Sequence, residues 1–299
     1  MIIGFIGLGR MGFPMTERMI KNGIQVVAYN RSPEKVDLIK KKGAIPAYSI
    51  EEMLSKLPLR KIIWLMLPAG KPTDDMIKEI MPKLSKGDII IDGANDFYGN
   101  AERHDAMCKK KGVHFFDIGV SGGIWGLKNG YTLMIGGNKT QFKTIEPLCK
   151  ALAPQKGYGY FGPAGSGHFV KSVHNIVEYV YLQGLAEGVE ILSKFKHPIP
   201  IDKVTEVWEP ASVVRSWLLE LTTRALRRPD FESIGTSIGS VTIDELNATK
   251  KSVKAYAPAF DVAVAIRRDK GKKFSLGKRT IAAVRNEFGG HIVEKKKKK

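Results

Sequence analysis

Two cysteines in 299 residues leave little for sulfur chemistry to do. Cys108 and Cys149 stand far from any CxxC pattern, so the chain offers neither a disulfide framework nor a thiolate zinc site. No other cluster of metal-ligand residues is visible, and no metal is expected. Also missing is an apolar run of about 18 residues, which a membrane span would need. The opening residues, MIIGFIGLGRMG, lack the basic region and cleavage site of a signal peptide. A cytoplasmic protein without a membrane partner is the expectation. Acidic residues are scarce, 30 against 48 lysines and arginines, for a net charge of +18. The terminal run Lys295 to Lys299 supplies part of that excess and reads as a solubilising basic tail. The remaining lysines (Lys40 to Lys42, Lys109 to Lys111, Lys250 and Lys251) are scattered and not interleaved with aromatic residues, so they do not form a nucleic-acid platform. A basic body can serve a nucleic acid, an anionic surface or a small anionic substrate focused into a cleft.

What is present points first to a dinucleotide. Met1 to Ile6 is an apolar run suited to a buried parallel strand, and Gly7, Gly9 and Gly12 follow it at G-x-G-x-x-G spacing. A helix from Pro14 to Asn22 and a second strand, Val26 to Tyr29, complete the unit. The glycines allow a tight turn, approach of the backbone to a pyrophosphate and close helix–strand packing, while the helix start offers free N–H groups. The intervening Leu8, Arg10 and Met11 belong to the same cradle. An acidic residue at the end of the second strand would accept from a ribose 2′-hydroxyl; this chain has Asn30, Arg31 and Ser32 instead. An arginine with two small hydrogen-bonding neighbours favours the 2′-phosphate of NADP, with NAD as the other possibility. The alternation continues with strands over Lys61 to Leu67, Asp88 to Asp92 and Val113 to Asp117, and helices between them. This is a doubly wound sheet with its ligand beyond the carboxyl ends of the strands, at Leu67, Pro68, Ala69 and Asn95.

Two later stretches carry polar groups where they are costly. Ser121, Gly122 and Gly123 offer a hydroxyl and exposed N–H groups for a carboxylate or hydroxyl, although a flexible hairpin would look the same. From Gly167 to about Lys194 one long helix is expected, with Lys171, His174, Asn175 and Glu178 at offsets 0, 3, 4 and 7 on one face. Val170, Val173, Ile176, Val177 and Val180 fill the other faces, so the helix is expected to be buried. A polar stripe on a buried helix must pair internally or act on a ligand. Beside a dinucleotide fold, the second reading is favoured. Further helices are expected over Ile201 to Trp208, Val213 to Leu226, Ile243 to Tyr256, Ala257 to Arg267 and Lys278 to Phe288, with Trp208, Trp217 and Leu218 to Leu221 in the core. The fold class is therefore α/β: a Rossmann dinucleotide-binding domain over 1–164, an all-α substrate and dimerisation domain over 165–294, and the basic tail over 295–299.

At this point the sequence resembles the 6-phosphogluconate dehydrogenases of the β-hydroxyacid dehydrogenase superfamily, in their short form. The likeness runs through GFIGLGRMG, SGGIWGLKNGYTLMIGG, GHFVKSVHNIVEYVYLQGLAEG and RNEFGGH. It implies that Lys171 is the general base and acid, that Glu178 protonates an enediol, and that Asn175, with His174 beside it, orients the substrate hydroxyl and nicotinamide. It implies further that Ser121, Gly122 and Gly123 grip the substrate carboxylate end, with Asn95 between cofactor and substrate. Tyr179, Arg267, Arg285 and His291 are the remaining substrate-binding candidates. Arg285 and His291 match a pair that reaches a neighbouring subunit's substrate phosphate, which implies a homodimer or homotetramer with shared sites. The implied reaction is oxidative decarboxylation of 6-phosphogluconate to ribulose 5-phosphate. One departure stands out. Where the family has a SGEGRW-like segment, this chain reads Ser237 to Asp244 without a basic residue, leaving Arg267, Lys250, Lys251 or Lys254 to take its place. Two rivals stay open: a hydroxyisobutyrate-like dehydrogenase without decarboxylation, and a non-catalytic nucleic-acid or chromatin binder on the same fold.

Overall fold

The computed structural model describes residues 1–239, 242–271 and 273–295. Expectations for Ser240, Val241 and Lys296 to Lys299 lie outside these residues. The chain divides into two compact units, Met1–Val173 and His174–Lys299.

The first unit is built on eight strands: β1 (Ile2–Ile6), β2 (Gln25–Tyr29), β3 (Ile45–Ala47), β4 (Ile62–Leu65), β5 (Ile89–Asp92), β6 (His114–Ser121), β7 (Thr132–Gly137) and β8 (Tyr158–Gly162). They form one sheet in the order β3-β2-β1-β4-β5-β6-β7-β8. All neighbours are parallel except β6 and β7, where Asp117 lies opposite Gly136 in antiparallel register. The first six strands thus keep the doubly wound order expected for a dinucleotide fold.

Alternation along each strand explains why both faces are covered. Ile3 and Phe5, Val26 and Ala28, Ile62 and Trp64, and Ile89 and Ile91 enter one apolar cluster; Ile6, Val27, Ile63, Leu65 and Ile90 enter another. Helices α1 (Gly12–Lys21) and α2 (Pro33–Lys40) cover the first face through Met15, Met19, Val36 and Ile39. On the other face, α3 (Ile50–Ser55), α4 (Lys71–Ile80) and α5 (Tyr98–Lys110) contribute Met53, Ile77, Ile80 and Cys108. Helices α6 (Gly126–Asn129) and α7 (Phe142–Leu152) flank β7. Three strands go beyond the expectation. β3 is only three residues long, and β7 and β8 are rich in glycine, so none shows a clear two-residue period.

Helix α8 (Ser166–Ser193) runs through the boundary of the two units and matches the long helix expected. It is not buried on every side. Val173 and Val177 are 41% and 61% exposed, and Tyr181 follows them on the same stripe at 37%. In the second unit come α9 (Ile201–Trp208), α10 (Trp217–Leu226), α11 (Ile243–Ser252), α12 (Pro258–Arg268) and α13 (Ser275–Gly289). Leu182, Leu221, Ala225, Ala283 and Val284 make one core of this unit, and Tyr179, Leu246, Phe260 and Ala263 another. Trp217 departs from its expected place in the core, since it lies exposed in the first turn of α10. No described helix is long and apolar enough to cross a membrane.

Candidate active site

The glycine loop is dictated by backbone crowding. Gly7 has φ of +103°, and a Cβ there would lie 2.4 Å from the Met66 carbonyl oxygen; one on Gly12 would meet the Gly7 oxygen. Gly9 has open space ahead of it, which is what a phosphate approaching the backbone needs. Leu8 N–H donates to Asn30 Oδ1 at 2.9 Å, and Asn30 Nδ2 donates to the Ser32 carbonyl at 3.2 Å. Asn30 therefore ties the end of β2 to the loop, while Arg31 and Ser32 remain exposed, as does Arg10. No acidic residue lies in the first turn of α1. A dinucleotide's phosphates fit this cradle in shape and charge.

The neighbouring loops are linked as well. Gly70 N–H donates to Asp96 Oδ2 at 3.2 Å, joining the turn after Leu67, Pro68 and Ala69 to the loop carrying Asn95. Asp92 Oδ1 accepts from Ala94 N–H at 2.9 Å in the same loop. Neither carboxylate was among the sequence candidates. Both accept from backbone N–H groups, which leave no spacing to read, and Asp96 also accepts from Asn100 Nδ2 at 3.0 Å.

At the end of β6 the Ser121–Gly122–Gly123 stretch opens the connection to antiparallel β7. Gly122 and Gly123 have φ of +135° and +56°, conformations that favour glycine. Gly126 packs against the ring of Tyr131, whose Cε1 would lie 1.9 Å from an added Cβ. Tyr131 is fully buried, and burial pushes its phenol well above the usual range.

On α8, Lys171 and Asn175 are buried and His174 and Glu178 half-buried along one stripe. His174 Nδ1 lies 3.1 Å from Asn175 Oδ1. Lys171 is seated on β6: a Cβ on Gly119 would come 2.3 Å from Lys171 Cβ.

In the second unit, Arg267 stands out. Its guanidinium is buried, and none of its three nitrogens meets a hydrogen-bond partner among the described residues. Its central carbon lies 3.5 Å from the centre of the Tyr179 ring. Burial drives its pKa down to about 10; Tyr179 and Glu178 oppose that shift, and Arg285 adds to it. Arg285, on α13, is also buried, and Gly239 lies against its guanidinium. Thr242 Oγ1 is 3.4 Å from the Tyr179 hydroxyl. The segment without a basic residue thus borders both Arg285 and Tyr179. Of the basic residues that could take its place, Lys250 is paired with Asp261, while Lys251 and Lys254 are exposed. Only Arg267 is brought to the Tyr179 ring. His291 follows α13, its carbonyl accepting from Asn286 Nδ2 at 2.7 Å.

Residues 2–162 match the family model described as the NAD binding domain of 6-phosphogluconate dehydrogenase, and residues 167–268 match its C-terminal domain. The chain belongs to the 6-phosphogluconate dehydrogenases. A Bacillus subtilis chain, YqeC, is 35% identical over 302 residues, covering 99% of this chain and all of its own. The NAD(+)-dependent, decarboxylating 6-phosphogluconate dehydrogenase of Haloferax volcanii is 34% identical, with 99% of each chain covered. The 6-phosphogluconate dehydrogenase of Plasmodium falciparum, solved without ligand, with NADP+ and with 6-phosphogluconate, superposes with a TM-score of 0.82 at 28% identity. That match covers 89% of this chain and 61% of the other. The chain is of the family's short form, an oxidoreductase with a Rossmann domain for NAD or NADP.

Proposed function

We propose that the chain oxidises and decarboxylates 6-phosphogluconate to ribulose 5-phosphate and carbon dioxide, with NADP preferred to NAD. Arg267 is the observation that carries the substrate. A buried guanidinium without an acceptor is expensive, and a phosphate supplies the charge and oxygens it lacks. Arg285 stands beside it, and Tyr179 holds its flat face.

Lys171, neutral at the start, takes the proton from the C3 hydroxyl while C3 gives up its hydride. A nicotinamide cofactor held at the Gly7, Gly9 and Gly12 loop would supply the hydride acceptor. Asn175 and His174 orient the hydroxyl. The product is a 3-keto acid whose ketone can accept the electron pair released as the C1 carboxylate leaves as carbon dioxide. Protonated Lys171 donates toward that oxygen and stabilises the developing enediol. Glu178 then gives a proton to the carbon that lost the carboxylate. Ser121, Gly122 and Gly123 hold the carboxylate end before it departs, and Asn95 stands on the cofactor side.

The assay follows reduced nicotinamide and carbon dioxide together, with 6-phosphogluconate and each cofactor. Equal release of both is expected; reduction without carbon dioxide would move the reading to a non-decarboxylating hydroxyacid dehydrogenase. Arg31 and Ser32, exposed beside an Asn30 already engaged with the glycine loop, support the NADP preference. In Arg31→Ala the KM for NADP should rise roughly 10- to 100-fold, the range of a lost charge-assisted contact, with NAD unaffected. A parallel rise for both cofactors would remove Arg31 from the 2′-phosphate.

The same reading includes a homodimer or homotetramer with shared sites. Val173, Val177 and Tyr181 leave an apolar stripe on α8, and the second unit has a groove of about 540 Å³ lined by Val177, Tyr181, Gly184, Gly188 and Trp208. Sedimentation equilibrium at micromolar concentration should give twice or four times the chain mass; a monomer active at that concentration would sink the shared site.

A further inference from the structure

Strand β6 presents alternate residues to its two faces. Phe116, Ile118 and Val120 point into an apolar cluster. Asp117, Gly119 and Ser121 therefore share the opposite face. Asp117 is fully buried. Its two oxygens accept from Gly165 N–H at 2.9 Å and from His168 N–H at 2.8 Å. These are backbone donors at the start of α8, where four N–H groups have no partner within the helix. No lysine, arginine or histidine forms an ion pair with Asp117 among the described residues. Its charge is nevertheless felt, since burial first and Asp117 second push the Tyr160 phenol upward. A fully buried carboxylate costs several kcal/mol in lost hydration, offset here by two charge-assisted hydrogen bonds and the positive end of the helix.

The helix is fitted to the sheet as closely as it is held. A Cβ on Gly167 would lie 2.2 Å from the Asp117 carbonyl oxygen and 2.6 Å from that of Met134. One on Gly136 would lie 2.6 Å from both Asp117 Oδ1 and Gly167 N. Glycine on all sides lets α8 lie directly on β6 and β7, and the next turn sets Lys171 on Gly119. The same strand face thus anchors the helix at Asp117, seats the lysine at Gly119 and leads into the turn at Ser121.

We propose that Asp117 is a positioning residue for Lys171: by holding the first turn of α8 at Gly165 and His168, it fixes where the lysine amine stands on β6. The proposal rests on the reading of Lys171 as the group that carries the proton. A neutral side chain could cap the helix, but it would make a weaker grip on one or both N–H groups. Asp117→Asn keeps the shape while turning one acceptor into a donor that faces an N–H group.

The test compares wild type with Asp117→Asn, and with Asp117→Ser as a smaller acceptor, each corrected for the folded fraction measured by circular dichroism. The expected result for Asp117→Asn is a loss of about 10²-fold in kcat, the scale of a misplacement near 1 Å, with KM and NADP affinity within about threefold of wild type. Asp117→Ser should fall between the two if it keeps one of the hydrogen bonds. Unchanged kcat per folded molecule together with a lower melting temperature would reduce Asp117 to a helix cap and overturn the proposal. Failure of both variants to fold would overturn it too, because the residue would then be required for folding rather than for placing the lysine. If wild type leaves 6-phosphogluconate unchanged, the substrate reading fails by itself. The comparison then moves to the rate at which trinitrobenzenesulfonate labels Lys171, followed by peptide mapping. A threefold or greater change in Asp117→Asn supports the positioning role, and an unchanged rate overturns it.

Discussion

A Lys171→Ala enzyme is expected to lose about 10⁴-fold in kcat on 6-phosphogluconate, the upper end of what one acid–base group contributes, because a single amine serves two steps. On the proposed mechanism the variant lacks the group that takes the C3 hydroxyl proton as the hydride leaves and the cation that faces the ketone oxygen as the carboxylate departs. The fold should survive. Alanine is the strongest helix former, and α8 keeps both its hydrogen bonds to Asp117 and its glycine contacts with β6 and β7. NADP affinity should stay within about twofold, since the glycine loop, α1 and the end of β2 are untouched. Steady-state kinetics with fluorescence titration of NADP separates these outcomes. A kcat within tenfold of wild type in a folded variant would remove Lys171 from the chemistry, and the loss of cofactor affinity along with turnover would point to a collapsed first unit.

Strands β1, β2, β4, β5 and β6 were legible because a parallel strand buried on both faces reads as an apolar run, such as Ile89 to Asp92. The long helix was legible from its length and from a stripe that repeats at offsets 0, 3, 4 and 7. Which of its apolar residues face inward was not, since periodicity separates faces without saying what covers them. Val173 and Val177 therefore came out exposed. Strands β7 and β8 were hidden by their glycines; in β7 the close approach of α8 requires one at Gly136, and the β6 backbone requires one at Gly137, where a Cβ would lie 2.5 Å from the Phe115 carbonyl oxygen. Trp217 shows the limit of hydrophobicity as a guide, because a tryptophan in a helix's first turn has only part of a neighbourhood to bury in. The supports of the site were hidden for another reason. Asp117 meets partners 48 and 51 residues away in sequence, and Asp96 meets Gly70 from 26 residues away, all through backbone N–H groups that any residue supplies. Arg267 could be picked out as one basic residue among several. Its burial against Tyr179 is a product of packing between α8 and α12, which no local pattern encodes.

Replacing that arginine should move stability and function in opposite directions. In Arg267→Met, the melting temperature of the ligand-free protein should rise by a few degrees, while KM for 6-phosphogluconate rises about 10²- to 10³-fold, the effect of losing a buried charge-assisted contact. The sign of the first effect follows from competing terms. Desolvation of a buried cation costs several kcal/mol, whereas stacking on Tyr179 returns about 2 kcal/mol, and methionine fills similar space without the charge. The direction of the pKa agrees. The folded-state value, about 10, lies below that of a free guanidinium, so the unfolded chain holds the proton more firmly. The cost is present in full at neutral pH and is relieved only as pH rises through about 10. The second effect follows from the proposed phosphate contact, which would repay that cost on binding and which methionine cannot make. Differential scanning calorimetry and substrate-saturation curves on the same preparation read both. Saturating 6-phosphogluconate should reverse the order of melting temperatures, with wild type gaining more than the variant. A variant that melts earlier than wild type without ligand and keeps its KM would make Arg267 a structural residue, and the phosphate would have to be sought elsewhere in the second unit.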